Sequence, residues 1–199
     1  MNIVFDIGNV FLHWDPRHLY RKIFGTEQEV EWFLANVCHP AWNLELDRGM
    51  ALAEAVAEAT GRHPDFAEAI RAYDTRWHET LPHAIEGTVA VFHELREQGT
   101  RLYAITNWHQ DKFREARERF PFLNLFRDIV VSGDERLIKP DPAIYQVLLR
   151  RNNLKPEDCL FIDDSPKNVK GAEAVGMKAH HFTGPEGLRA ELVRLGVLK

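Results

Sequence analysis

Six residues of this sequence have types and placements that can do chemistry: Asp6, Thr106, Asn107, Lys139, Asp163 and Asp164. Each follows a short apolar run. Ile3-Val4-Phe5 precedes Asp6, Arg101–Ile105 precedes Thr106-Asn107, Asp128–Val131 lies upstream of Lys139, and Cys159–Ile162 precedes Asp163-Asp164. A carboxylate at the end of a buried strand is costly unless it is paired or binds a metal. Taken singly, Asp6 could cap a turn, Asn107 could sit in a turn, Lys139 could be a solvated charge, and Asp163-Asp164 could cap the helix that starts near Pro166. These separate roles do not explain why every polar break follows an apolar strand. Together the residues make coherent chemistry. Asp6 and Asp164 can share an oxygen-loving divalent ion such as Mg²⁺. Thr106, Asn107 and Lys139 can hold the oxygens of a phosphoryl group, and Asp6 can attack phosphorus to form an aspartyl-phosphate that water hydrolyses.

The elements that position these residues can be read from the hydrophobic pattern. From His83 onward strands alternate with helices. Helices are expected over Thr88–Gln98, His109–Arg119, Pro142–Asn152, Lys167–Val175 and Pro185–Leu195, with a last strand over Met177–Phe182. This alternation implies right-handed βαβ units, a parallel sheet and an α/β fold of Rossmann-like type. In such sheets ligands bind outside the carboxyl ends of the strands, so the polar breaks can converge on one edge. Residues from about Arg17 to Glu79 read as helices throughout. Val30, Phe33, Leu34 and Val37 form one stripe. Ala51–Thr60 is alanine-rich and is expected to stop at Gly61, and Pro64 is expected to open another helix with Phe66, Ile70, Tyr73 and Trp77 on one face. A helical block of this length exceeds an ordinary crossover and implies an inserted helical cap over 16–81. The core then comprises 1–15 and 82–199.

Composition narrows the function classes. The 199 residues are 45% hydrophobic and 28% charged, with a formal net charge of -5. No basic stripe appears, which argues against nucleic acid as a partner. No apolar run approaches the ~18 residues of a membrane span, so no membrane is expected. Cys38 and Cys159 form no metal-ligand spacing and suggest a reducing compartment. The N-terminus lacks a signal-peptide pattern. A cytoplasmic protein, monomeric or weakly dimeric, is the expectation.

The four breaks resemble, in order and separation, the four motifs of the haloacid dehalogenase-like hydrolase superfamily. Asp6-Ile-Gly-Asn-Val10 looks like its nucleophile loop; Thr106-Asn107, Lys139-Pro140 and Asp163-Asp164 look like the second, third and fourth motifs. The helical block resembles the small cap of one subfamily. The likeness is strongest to bacterial phosphatases of α-glucose-1-phosphate and related sugar phosphates, and to the phosphatase domain of soluble epoxide hydrolase. It implies a nucleophilic Asp6 and a Mg²⁺ ion held by Asp6, the Gly8 carbonyl and Asp164, with Asp163 supporting the metal site. The substrate implied is a small phosphorylated metabolite. Hydrolytic dehalogenation is a second reading, although Asp163-Asp164 would repel a haloacid carboxylate. A non-catalytic relative that binds a phospho-ligand or a protein is a third, and Gly8 is its best support.

Gly8 marks a departure from that family. Most phosphatases of the superfamily carry an acid/base Asp at this position, and glycine cannot transfer a proton. Asp15 or His13 could replace it, although Asp15 also reads as a turn residue before Pro16. Substrate choice is expected to lie with the cap, which holds Trp32, Trp42 and Trp77 with His39, Glu45, Asp47 and Arg48 near the second of these. Trp42 and Arg48 are the candidate substrate contacts there. Trp108-His109 is placed to face the cap.

Overall fold

The computed structural model describes all residues, Met1–Lys199. Five strands form one parallel sheet: β1 (Asn2–Phe5), β2 (Leu102–Thr106), β3 (Asp128–Val131), β4 (Cys159–Asp163) and β5 (Lys178–His181), in the order β3-β2-β1-β4-β5. The first strand in sequence is thus central in space. Phe5 lies level with Ala104 on one side and Ile162 on the other, and Thr106 pairs with Val131. This register brings the carboxyl ends of β1, β2, β3 and β4 to one edge of the sheet.

Alternation along the strands supplies two apolar layers. Val4, Tyr103, Ile105 and Phe161 pack with Ile144, Tyr145, Leu148 and Ala172. Those partners belong to α9 (Pro142–Arg151) and α10 (Pro166–Ala174), described with the other helices below. Ile3, Phe5, Leu102, Ala104, Leu160 and Ile162 face the opposite layer with Phe92, Leu188 and Leu192. Phe11 is wedged against Phe5, Phe92 and Phe126, with ring centroids 5.0, 5.7 and 5.7 Å apart. Its fully buried ring anchors the loop that follows β1.

Five helices form the block between β1 and residue 82: α1 (Arg17–Tyr20), α2 (Glu27–Asn36), α3 (Pro40–Asp47), α4 (Leu52–Arg62) and α5 (Ala67–Thr75). Six follow: α6 (Glu86–Glu97), α7 (Gln110–Arg119), α8 (Ser132–Glu135), then α9 and α10 as above, and α11 (Pro185–Arg194). α2 opens with a capping box between Thr26 and Glu29 and buries Val30, Phe33 and Leu34. Two boundaries differ from the sequence reading. α4 continues through Gly61 to Arg62. Gly61 is exposed and a Cβ there would meet no atom within 4 Å, so it costs helix propensity without ending the helix. Pro64 opens a single 3₁₀ turn, Pro64–Phe66, and α5 starts only at Ala67. No helix is long and apolar enough to cross a membrane.

Candidate active site

The loop after β1 begins with a carboxylate and turns back at once. Asp6 N continues the sheet ladder to Ile162 O at 2.8 Å. The chain then coils so that Phe11 N and Leu12 N donate to Ile7 O at 2.9 and 3.1 Å. Asn9 takes φ +54°, a conformation asparagine tolerates, and its Oδ1 accepts from Trp14 N at 3.0 Å. Ile7, Val10, Phe11 and Leu12 are fully buried beneath this turn, while Gly8 faces open space where a Cβ would meet no atom within 4 Å.

Asp6 Oδ1 accepts from its neighbour Ile7 N at 2.6 Å and from Lys139 Nζ at 2.8 Å. Lys139 Nζ also donates to Asp163 Oδ2 at 2.7 Å, and its side chain is completely buried. The ammonium therefore bridges the ends of β1 and β4. Asp163 is saturated: Oδ1 accepts from Ser165 N at 2.8 Å and Asn168 Nδ2 at 3.0 Å, and Oδ2 receives Lys139. Asn107 holds the same lysine by its main chain. Its Oδ1 accepts from Lys139 N at 2.8 Å and its Nδ2 donates to Lys139 O at 3.1 Å. Asn107 thus spends most of its amide on positioning Lys139, where the sequence reading gave it to substrate oxygens.

Carboxylate oxygens of Asp6, Asp163 and Asp164 lie within 4.8 Å of one another. Three acids against one ammonium leave an excess of negative charge in a buried place. Burial pushes the Asp6 carboxyl up to about 7, Asp163 and Asp164 add to this, and Lys139 opposes it. Burial also raises Asp164, with Asp163 reinforcing and Lys139 opposing. Lys139 itself is raised, because its two carboxylates outweigh the burial that would lower it. The donor chemistry fits a hard divalent cation, with Asp6 Oδ2 and the Asp164 carboxylate free of hydrogen-bond partners to hold it. Asp163 has no oxygen to spare, which makes it a support for Lys139 before it is a metal ligand.

Asp6, Gly8, Asn107 and Asp164 form the floor of a cavity of about 160 Å³. Lys139 and Asp163 lie just beneath that floor. Thr106 is buried at the end of β2 and does not line the space. Trp14, Trp77, Trp108 and Tyr73 supply aromatic walls, and Asn43, Leu46 and Asp47 of α3 close the side facing the helical block. The helical block touches the sheet edge through main chain. Ser132 Oγ accepts from Trp108 N at 2.8 Å and donates to Asp47 O at 2.6 Å. Gly49, with φ +91°, lies so near Gly133 that a Cβ would meet its carbonyl oxygen at 2.6 Å. His109 Nε2 lies 3.1 Å from Met50 O.

The structure brings Asp6, Gly8, Asn107, Lys139, Asp163 and Asp164 together. Three expected contacts do not reach the cavity, the first being Thr106, whose side chain is buried at the end of β2 and does not meet substrate oxygens as expected. Trp42 is buried inside the helical block, its Nε1 donating to Ala55 O at 3.4 Å and its ring 4.9 Å from Tyr73. Arg48 is exposed and pairs with Glu45 at 2.7 Å, away from the cavity. The placements of Trp42 and Arg48 follow from helical periodicity: in α3 the residues turned to the cavity are Asn43, Leu46 and Asp47. Asp15 pairs with Arg17 at 3.3 Å and His13 is exposed, and neither lines the cavity. Sequence reasoning missed Ser132 and Asn168. Ser132 follows an apolar strand as Thr106 does, and Asn168 lies in the first turn of a helix opened by Pro166, where donors for a buried Asp are to be expected.

A haloacid dehalogenase-like hydrolase family model matches residues 43–181. The chain belongs to that family. It is a hydrolase with the family's α/β fold. A sesquiterpene phosphatase of Aspergillus oryzae is 26% identical over 96% of this chain and 94% of its own length. A glyceraldehyde 3-phosphate phosphatase of Methanopyrus kandleri is 31% identical over 56% of the chain, which spans about half, 48%, of that protein. A family enzyme of Bacteroides thetaiotaomicron, crystallised with magnesium and inorganic phosphate, superposes with a TM-score of 0.72. It is 22% identical and covers 92% of this chain and 94% of its own. This likeness is one of fold.

Proposed function

We propose that the protein is a Mg²⁺-dependent phosphomonoesterase acting on a small organic phosphate, a sugar phosphate being the leading class. The observation that carries this reading is the Lys139 bridge from Asp6 to Asp163, which leaves Asp6 Oδ2 open to a cavity that Asp164 also faces. Asp6 is the nucleophile: Lys139 and Ile7 N hold one of its oxygens and so aim the other. Lys139, kept charged by its two carboxylates, stabilises the negative charge on the transferring group. Asp6, the Gly8 carbonyl and Asp164 would hold Mg²⁺, which when bound neutralises phosphoryl oxygens that the acidic floor would otherwise repel. Thr106 is buried at the end of β2 and precedes Asn107, and Asp163 with Asn168 fixes Lys139.

The helical block, residues 16–81, acts as a cap over a core of 1–15 and 82–199. The aromatic walls of the cavity, Tyr73 and Trp77 from the cap and Trp14 and Trp108 from the core, suit the face of a sugar ring or another small organic group. The two phosphatase relatives and the magnesium and phosphate complex of the structural neighbour support the reading by likeness. Dehalogenation is less supported, because Asp6, Asp163 and Asp164 give the floor an acidic excess that disfavours a haloacid carboxylate. The test is hydrolysis of a panel of sugar phosphates with Mg²⁺ and with EDTA. Metal-dependent release of phosphate is expected. A folded protein inert to the whole panel and to aryl phosphates would leave the binding-module reading in its place.

A further inference from the structure

We infer that Asp47, on the last turn of α3, is the general acid and base of the reaction and takes the place that Gly8 leaves vacant. The inference rests on the phosphatase reading. Gly8 presents no proton-transferring group, and Asp15 and His13 lie outside the cavity, so an acid must come from elsewhere around the cavity. Asp47 is the only carboxylate from the helical block that lines it, opposite a floor carrying Asp6 and Asp164. It stands outside the group of three acids that could hold a metal.

Its position is fixed through main chain. Ser132 Oγ donates to Asp47 O at 2.6 Å, and the Gly49–Gly133 contact and the Met50 carbonyl beside His109 secure the residues that directly follow it. The side chain is left for chemistry. Oδ2 accepts from Asn43 Nδ2 at 3.2 Å, and Asn43 Oδ1 in turn accepts from the Tyr73 hydroxyl. Oδ1 has no protein partner and is not sealed from the cavity. Burial pushes this carboxyl up to about 7, with Lys139 opposing. An acid poised near neutral pH can give and take a proton in one cycle. The titratable groups around it are Tyr73 from α5, His109 and Lys112 from the start of α7, Lys139 below, and Asp6 and Asp164 on the floor. Lys112 is already committed to Asp74 and Glu115, each at 2.7 Å.

The steps balance. Asp6 Oδ2 bonds to phosphorus, the bond from phosphorus to the leaving oxygen breaks, and that oxygen keeps the electron pair. The Asp47 carboxyl gives it a proton, so that an alcohol departs and Asp47 becomes a carboxylate. Water in the vacated place then bonds to phosphorus and passes a proton to Asp47, while the bond from phosphorus to Asp6 breaks. Phosphate leaves, and both side chains are restored.

The test compares Asp47→Asn with the parent on p-nitrophenyl phosphate, whose leaving group needs little help, and on glycerol phosphate, whose leaving group needs a proton. In kcat/KM the variant is expected to lose about 10²–10⁴-fold on the alkyl ester and far less on the aryl ester, the range general acid catalysis supplies. It is also expected to show a burst of p-nitrophenol as aspartyl-phosphate accumulates, because the second proton transfer is gone. Gly8→Asp in the Asp47→Asn background is expected to recover part of the alkyl activity, since a side chain at Gly8 meets open space. Asp47→Ser, which keeps the main-chain contacts, is read the same way should the Asn variant fail to fold. Equal losses on both esters with no burst would overturn the assignment while leaving the phosphatase reading intact. A parent enzyme inert to both esters would remove the two together.

Discussion

Lys139→Met tests how the acidic floor is held together. Methionine keeps the length and apolar stem of lysine and removes the ammonium. Two buried contacts vanish, 2.8 Å to Asp6 and 2.7 Å to Asp163, and neither carboxylate gains a replacement. Breaking a buried pair by removing one partner costs about 3–5 kcal/mol, because charge is left uncompensated. For a chain of this size that is a fall in Tm of about 6–20 °C, at ~2–4 °C per kcal/mol. The cost must depend on pH. Asp6 ordinarily titrates at 3.8 and is pushed to about 7 in the folded protein, so its contribution to stability is fully present below pH 4 and is lost as pH rises through 7. At pH 5 it is protonated with or without the lysine and no longer needs a cation. Only Asp163 then loses a partner, and it keeps Ser165 N and Asn168. The penalty at pH 5 is expected to be about half of that at pH 8, on the order of 2 kcal/mol. Thermal unfolding of both proteins at the two pH values, in EDTA, reads this directly. An unchanged Tm, or the same drop at pH 5 and pH 8, would refute the reasoning.

Three further outcomes follow from the same geometry. Adding Mg²⁺ should raise the Tm of the native protein more at pH 8 than at pH 5.5, because protons compete for Asp6 and Asp164, both raised by burial; a calorimetric titration at the two pH values checks it. Gly49→Ala should cost at least ~1–2 kcal/mol, since its φ of +91° is strained for a side chain and a Cβ would strike Gly133 O. It should also raise KM by loosening the α3 end of the cavity, which steady-state kinetics would show. Arg48→Ala should change stability by less than ~0.5 kcal/mol and leave kcat/KM nearly unaltered, its only ion pair being exposed.

The sheet and the strand-end residues were legible because buried parallel strands write themselves as continuous apolar runs, and a polar break in such a run marks an edge. Asp6, Lys139 and Asp163-Asp164 could be found this way although 24 to 133 residues separate successive ones along the chain. The division of labour among them was not legible. Whether Asn107 binds substrate or the Lys139 main chain depends on where the loop after α8 passes, which no local pattern encodes. The helical block shows the same limit. Its stripes were clear, but with helices packed on several sides an aromatic such as Trp42 can face inward toward Ala55 and Tyr73 as readily as toward the cavity. Asp47 was visible only as one polar residue among several near Trp42. Its placement comes from the Ser132 contact, made across 85 positions of sequence.

The most direct test of the central claim is turnover of p-nitrophenyl phosphate by the native protein and by Asp6→Asn, each with Mg²⁺ and with EDTA. The account expects phosphate release only from the native protein with metal present. Turnover that survived in Asp6→Asn, or that was the same in EDTA, would contradict it.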